Sequence, residues 1–217
     1  MSASTDTEAL YASFSVDSSS YEILQDAAES ISDVPGLTME IGVRAGGSSQ
    51  MIIDGLLKNN KGMRTHVTID PYGLLPYIYQ EKSTIEWGCY SNEERDRAIP
   101  GLFLYCANTL VNFVYFQLTD TQFFKRFADG VPIYVDHKEE VINQYALVFF
   151  DGPHSLETIM AETVFFAERA SPGAIFVYDD VTDEFYDHVK ILDYLLLNGW
   201  QPRKSSRVKA SYEKVLA

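Results

Sequence analysis

The chain has little cysteine, little positive charge and no long apolar run. Among its 217 residues Cys89 and Cys106 are the only cysteines, and they form no CxxC or metal-type spacing. That argues against a disulfide framework or a thiolate zinc site and predicts two reduced thiols. Lysine and arginine total 17 against 31 aspartates and glutamates, a formal net charge of -14. Such a balance repels phosphate backbones and argues against nucleic acid as the main substrate. The one basic cluster, Arg203, Lys204, Arg207 and Lys209, reads as a solvated hairpin. No stretch approaches the ~20 apolar residues of a membrane span, and the polar start, Met1 to Ser20, lacks the basic-then-apolar pattern of a signal peptide. These absences predict a soluble cytoplasmic protein with no membrane partner.

What is present is a composition 46% apolar, enough for one well-buried core. No internal repeat or low-complexity linker interrupts it, so residues 1–20 read as a polar segment and 21–217 as a single domain. Tyr21 to Ile31 carries Ile23, Leu24, Ala27 and Ala28 at helical spacing. "LTMEIGV" reads as a strand that runs into the glycine-rich "RAGGSS", followed by the helical "QMIIDGLLKN". A second strand, "THVTIDPYG", ends in Asp70. Ser91 with Glu94 forms a capping box for a helix that Pro100 should kink or divide. "NFVYFQL", "YALVFF" and "AIFVYDD" read as strands three to five, with a helix over "SLETIMAETVFFAERA" between the last two. A helix from about Glu184 to Asn198 and a last strand, "RVKASYEKVL", follow. Strands alternating with helices, and apolar almost throughout, imply a mostly parallel sheet covered on both faces.

In such sheets ligands bind beyond the carboxyl ends of the strands. Here those ends carry Glu40 and Gly42, Asp70, Asp151, and the pair Asp179 and Asp180. "EIGVRAGGS" fits E-x-G-x-x-x-G and departs from the G-x-G-x-x-G of nicotinamide dehydrogenases, which disfavours that class. Its glycines allow a sharp turn and close approach of a ligand to the backbone. At the end of the next strand, the Asp70 carboxylate is suited to accept the hydroxyls of a ribose. The alternative for Asp70 is an Asp-Pro turn residue.

One strand-helix-strand crossover separates Asp151 from Asp179 and Asp180, so neighbouring strands would bring all three carboxylates to one edge. Clustered carboxylates need a cation, a shared proton or solvent. An all-oxygen set suits Mg²⁺. Taken singly, Asp151 reads as a turn residue and "DD" as a helix cap.

These motifs, "EIGVRAGGS", "TIDPYG", "FFDGPHS" and "VYDDV", resemble those of the class I S-adenosylmethionine-dependent methyltransferases, over about Glu22 to the C-terminus. The resemblance implies a Rossmann-like α/β fold with a mostly parallel seven-stranded sheet, helices on both faces and an antiparallel last strand. It implies that Glu40, Gly42, Gly46 and Ser48 line the cofactor with Asp151, that Asp70 holds the ribose, and that Asp120 and Thr121 lie near the adenine. The segment Asp129 to His137 reads as an insertion in that pattern. Among these enzymes "DGPH" followed by "YDD" is similar to the metal-dependent O-methyltransferases, which include catechol O-methyltransferase and the macrocin-type sugar enzymes. The macrocin type is closer, because a His stands three residues after the first Asp. That similarity implies Mg²⁺ on Asp151, Asp179 and Asp180, and His154 as general base.

The chemistry is consistent with this. A neutral hydroxyl is a poor nucleophile at pH 7, and a metal that binds it together with an imidazole that takes its proton removes that obstacle. His66, His137 and His188 have no comparable company. Between Asp70 and Ser91 the aromatic residues Tyr72, Tyr77, Tyr79, Trp87 and Tyr90 read as a loop. That loop is either a lid over the acceptor or an interface between copies in a homo-oligomer. The function expected is methyl transfer to a hydroxyl of a small sugar, polyol or phenol. The competing expectation is a non-catalytic S-adenosylmethionine-binding or assembly protein of the same fold.

Overall fold

The structure, a computed structural model, describes residues 14–16, 18–59, 63–81, 84–88, 90–135, 137–182 and 186–215, with residues 77–81, 84–88 and 135 described by their backbone alone. Its centre is a seven-stranded sheet of β1 (Leu37–Ile41), β2 (Arg64–Ile69), β5 (Val111–Phe116), β8 (Tyr145–Phe150), β9 (Ala170–Tyr178), β10 (Trp200–Ser205) and β11 (Ala210–Lys214). The strand order is β10-β11-β9-β8-β1-β2-β5. The β1–β2, β2–β5, β1–β8 and β8–β9 pairs are parallel, and β11 is antiparallel to both of its neighbours. The expected architecture is therefore present, with the antiparallel last strand wedged between β9 and β10. β1 and β8 are buried at every position, as strands covered on both faces should be.

Among the described residues six helices accompany the sheet: α1 (Tyr21–Ser30), α2 (Gly47–Lys58), α3 (Asn92–Cys106), α4 (Asp120–Arg126), α5 (Leu156–Ala167) and α6 (His188–Leu197). α1 buries the stripe Ile23, Leu24, Ala27 and Ala28 against β8 and β9 residues such as Leu147, Phe149 and Val177. On the other face Phe166 of α5 packs at 4.8 Å from Tyr145 and, with Ile159 and Phe176, belongs to the larger core cluster. The Ser91–Glu94 capping box starts α3, as expected, and a Thr119–Gln122 box starts α4. α3 passes through Pro100 as one helix and is not divided there.

Three sequence expectations change. The aromatic stretch after Asp70 is not a bare loop: β3 (Tyr77–Glu81) and β4 (Thr84–Gly88) pair antiparallel as a ribbon, consistent with their β-branched and aromatic content. β6 (Val131–Val135) and β7 (Lys138–Ile142) form a second ribbon over the segment read as an insertion. The basic cluster does lie on a hairpin, β10–β11, but Lys209 in it is fully buried. The last helix begins at His188; Glu184, its expected start, lies outside the described residues, as does Cys89, while Cys106 is buried. Among the described residues no helix is long and apolar enough to cross a membrane.

The ends of β1 and β8 touch through their backbones. The Asp151 N–H donates to the Ile41 carbonyl at 3.0 Å, and Gly42 has φ +89°. A Cβ on Gly42 would lie 2.1 Å from the Asp151 carbonyl oxygen. Both the dihedral and the space require glycine. Gly42→Ala is expected to lower unfolding stability in urea by about 3 kcal/mol or more, because strain and steric overlap add; a loss under about 1 kcal/mol contradicts this contact.

Candidate active site

With β2, β1, β8 and β9 adjacent, their carboxyl ends deliver Asp70, Gly42, Asp151 and Asp179 to one edge of the sheet. A cavity of about 430 Å³ opens there, with Gly42, Asp70, Tyr72, Asp120, Asp151 and His154 in its wall. It is the position that the open α/β topology prepares for a ligand.

Asp70 organises one side of this cavity. One carboxylate oxygen accepts from the Val43 and Arg44 N–H groups, each at 3.0 Å, and the other accepts from Tyr72 N–H at 2.9 Å. The acid thus ties the β1–α2 loop to the end of β2. Burial pushes its pKa up, with a smaller contribution from Glu40, and the three backbone donors act in the opposite direction. A carboxylate has about four lone-pair sites, so the oxygen bonded to Tyr72 keeps acceptor capacity for a ligand. Arg44 and Tyr72, at the two ends of this brace, have φ near +44°. The Tyr72 hydroxyl donates to the Arg44 carbonyl at 2.6 Å, which locks them together.

His154 organises the other side. Its Nε2 lies 3.4 Å from an Asp180 oxygen and 3.9 Å from an Asp151 oxygen. Gly152 and Pro153 turn the chain after β8, and the Ser155 side chain caps α5 by accepting from Thr158 N–H, so the imidazole is held at a helix entry. Asp180 has φ +51°, a costly conformation for a non-glycine residue, and it sits where the chain turns its carboxylate toward His154. Burial drives the His154 pKa down to about 4. With its pKa held that far down by desolvation, the imidazole is neutral at pH 7 and able to accept a proton.

Asp179 is placed differently from Asp151 and Asp180. Its carboxylate receives Lys209 Nζ at 2.6 Å, Ser18 Oγ at 3.2 Å and its neighbour's N–H at 2.8 Å. The structure therefore gathers Asp151, Asp180 and His154, and leaves Asp179 beside them in a separate ion pair. Among the described residues, no three His, Cys, Asp or Glu side chains converge to form a metal-type cluster.

The remaining expected site residues divide in the same way. Asp120 lines the cavity from the start of α4, with Glu162 buried behind it. Thr121 faces solvent and donates to Asp120 at 3.3 Å. Glu40 is fully buried between β1 and α2, where Ser49 Oγ donates to it and His66 Nε2 stands at 3.4 Å. Ser48, in the first turn of α2, is buried as well. Gly46 lies under the N-terminal segment: Ser15 bridges to it, and a Cβ there would stand 3.0 Å from the Phe14 ring. Tyr72, Leu75, Pro76 and Tyr90 of the aromatic stretch line the cavity, and Leu118 and Thr119 join them from the β5–α4 turn. The last two escaped the sequence reading, although the Thr119–Gln122 capping box marks that turn.

Comparison with known proteins agrees with the fold. The model of a family described as "Methyltransferase domain" matches residues 39–181, more than half of the chain and every strand end described above. A search of curated proteins finds no match. Among solved structures, the O-methyltransferase NovP is 18% identical, with a TM-score of 0.59 and coverage of 90% of this chain and 79% of its own. CalS11, a calicheamicin methyltransferase, is 15% identical, with a TM-score of 0.64 and coverage of 89% and 77%. An O-methyltransferase from Bacillus cereus in complex with SAH is 13% identical, with a TM-score of 0.57 and coverage of 96% and 90%. At these identities the structural likenesses establish the fold.

The His154 environment makes a measurable prediction. Between pH 6.5 and about 4 the unfolded chain binds a proton that the buried imidazole refuses, so stability is greatest above pH 6.5 and falls as pH drops through that window. His188, partly buried and also held at about 4 by desolvation, adds to the same trend. In a nitrogen-detected NMR titration His154 should remain neutral at pH 6; a midpoint at or above 6.5 contradicts the burial argument.

Proposed function

Because this chain belongs to the methyltransferase-domain family, we propose that it transfers a methyl group from S-adenosylmethionine to a hydroxyl of a small molecule, with His154 as general base and Mg²⁺ as the assisting metal. The observation that carries the proposal is the placement of His154 within 3.9 Å of Asp151 and Asp180, in the wall of the cavity that Asp70 lines. When bound, S-adenosylmethionine would supply a sulfonium methyl group, whose carbon an oxygen nucleophile attacks in line as the carbon–sulfur bond breaks and S-adenosylhomocysteine leaves. The cavity fits such a ligand: Asp70 keeps an acceptor position for a ribose hydroxyl, Ile69, Pro71 and Leu118 give apolar walls, and Asp120 stands beyond them.

The residues divide the work. Asp70 orders the β1–α2 loop and binds the ribose, and Asp120 faces the base. Asp151 stands between the cofactor and the acceptor. His154 accepts the hydroxyl proton on Nε2 as the carbon–oxygen bond forms, and the flanking carboxylates stabilise the imidazolium that results. Asp151 and Asp180, with side chains 22% and 25% exposed, are hard oxygen donors of the number that Mg²⁺ uses when waters and substrate oxygens complete its shell. When bound there, Mg²⁺ would favour the ionised form of the acceptor hydroxyl and fix its position.

The acceptor side favours a small, uncharged or weakly charged group. Tyr72 and Tyr90 wall the cavity, and the net charge of -14 opposes polyanions. Hydroxyl chemistry is supported by structural relatives described as O-methyltransferases, including CalS11, which is described as a TDP-rhamnose 3′-O-methyltransferase. A sugar-type hydroxyl is favoured over a phenol because an imidazole serves as the base.

The test uses radiolabelled S-adenosylmethionine with catechol and a TDP-sugar as acceptors, with and without Mg²⁺, beside calorimetric titration of S-adenosylhomocysteine. His154→Ala should slow transfer by about 10²- to 10⁴-fold and leave the S-adenosylhomocysteine affinity within about threefold. Transfer unaffected by His154→Ala contradicts the assigned base. Cofactor binding with no metal affinity and no transfer to a hydroxyl would support the non-catalytic reading instead.

A further inference from the structure

Antiparallel β11 pairs Ala210 with Tyr178 and Ser211 with Val177. One more step in that register sets Lys209 opposite Asp179. Lys209 is fully buried, and its ammonium lies 2.6 Å from one Asp179 oxygen, donates to Ser18 Oγ at 2.7 Å and stands 4.4 Å over the Tyr21 ring. The other Asp179 oxygen accepts from Ser18 Oγ and from the Asp180 N–H. Both oxygens of this carboxylate, itself 2% exposed, are thus engaged inside the protein. The next residue, Asp180, reverses the backbone with φ +51° and turns the other way, toward His154.

For Asp179 to bind a cation at the reaction centre, Lys209 would have to be left as a buried ammonium without its carboxylate, which is strongly unfavourable. A divalent ion brought close to that ammonium would also meet like-charge repulsion. The pair has a use of its own: Ser18 reaches both members, so the segment that continues to Ser15 and Phe14 over Gly46 is fixed at this point.

We propose that Lys209 is a resident cation that withdraws Asp179 from the reaction centre, so that a divalent ion there is held by Asp151 and Asp180 without Asp179, while the Lys209–Asp179 pair anchors the N-terminal segment through Ser18. The metal half of this inference rests on the metal-assisted function proposed above. The adjacent acids then have separate roles, Asp180 at the site and Asp179 as a positioning residue.

The experiment titrates Mn²⁺ into the full chain by electron paramagnetic resonance and follows thermal unfolding of the same variants. Asp151→Asn and Asp180→Asn should weaken Mn²⁺ binding by about tenfold or more, and Asp179→Asn should change it by less than about threefold. Asp179→Asn and Lys209→Met should each lower the melting temperature by about 10 °C, and the double variant should recover much of that loss, since neither buried charge is then left alone. The double variant also keeps the metal test readable if Asp179→Asn alone folds poorly, and it too should retain Mn²⁺ binding. Loss of Mn²⁺ affinity in Asp179→Asn equal to that in Asp151→Asn, or additive thermal losses in the double variant, overturns the inference. A wild-type chain that binds no Mn²⁺ removes the metal-assisted reading itself; the thermal cycle then decides the Lys209–Asp179 pairing, recovery supporting it and additivity overturning it.

Discussion

The carboxylate of Asp70 is the constraint on which the ligand-binding edge depends. Three backbone N–H groups from two different loops converge on it, and each of those loops holds a non-glycine residue in the left-handed region. Without that acceptor, Val43, Arg44 and Tyr72 would present unpaired donors at a partly buried turn, a cost of about 1–3 kcal/mol each. The same acid lies in the wall of the cavity. Under the proposed function, structural and binding duties would therefore fall on one side chain.

The second constraint is the contact of β1 with β8 at Gly42 and Asp151. It fixes how far Asp151 and His154 stand from the β1–α2 loop. Asp151 cannot retreat without breaking its N–H bond to Ile41, and His154 follows three residues later at the entry of α5. Asp151 and His154 are thereby mounted on the same frame as the groups around Asp70. Catalysis by proximity needs such a shared frame, since small displacements of a reacting group cost large factors in rate.

The architecture was legible in the sequence because parallel strands buried on both faces read as continuous apolar runs, such as "YALVFF", and because one crossover places consecutive strands side by side. Strand-end acids followed from the same logic, which expected Asp151, Asp179 and Asp180 at one edge with His154; the structure sets Asp151 and Asp180 within 3.9 Å of His154 and pairs Asp179 with Lys209. The pairing of Asp179 was not legible: its partner Lys209 is 30 residues away, just before an antiparallel strand whose register the sequence does not display. Lys209 itself read as solvated because its neighbours Arg203 and Lys204 are surface residues that pair with Asp26 of α1. The family resemblance implied Glu40 at the cofactor, and the structure turns it under α2 toward Ser49 and His66. In a sheet covered on both faces, alternation alone does not say which strand-end residue looks out of the open edge.

The central claim is that the edge braced by Asp70 binds the nucleoside and presents the reacting sulfur to His154. A crystal structure of the chain with S-adenosylhomocysteine tests it most directly. The account predicts ribose hydroxyls on Asp70, the base toward Asp120 and the sulfur on the Asp151–His154 side. A nucleoside bound away from Asp70, for example in the cavity at the opposite edge lined by Asn59, Arg64 and Glu140, would contradict it.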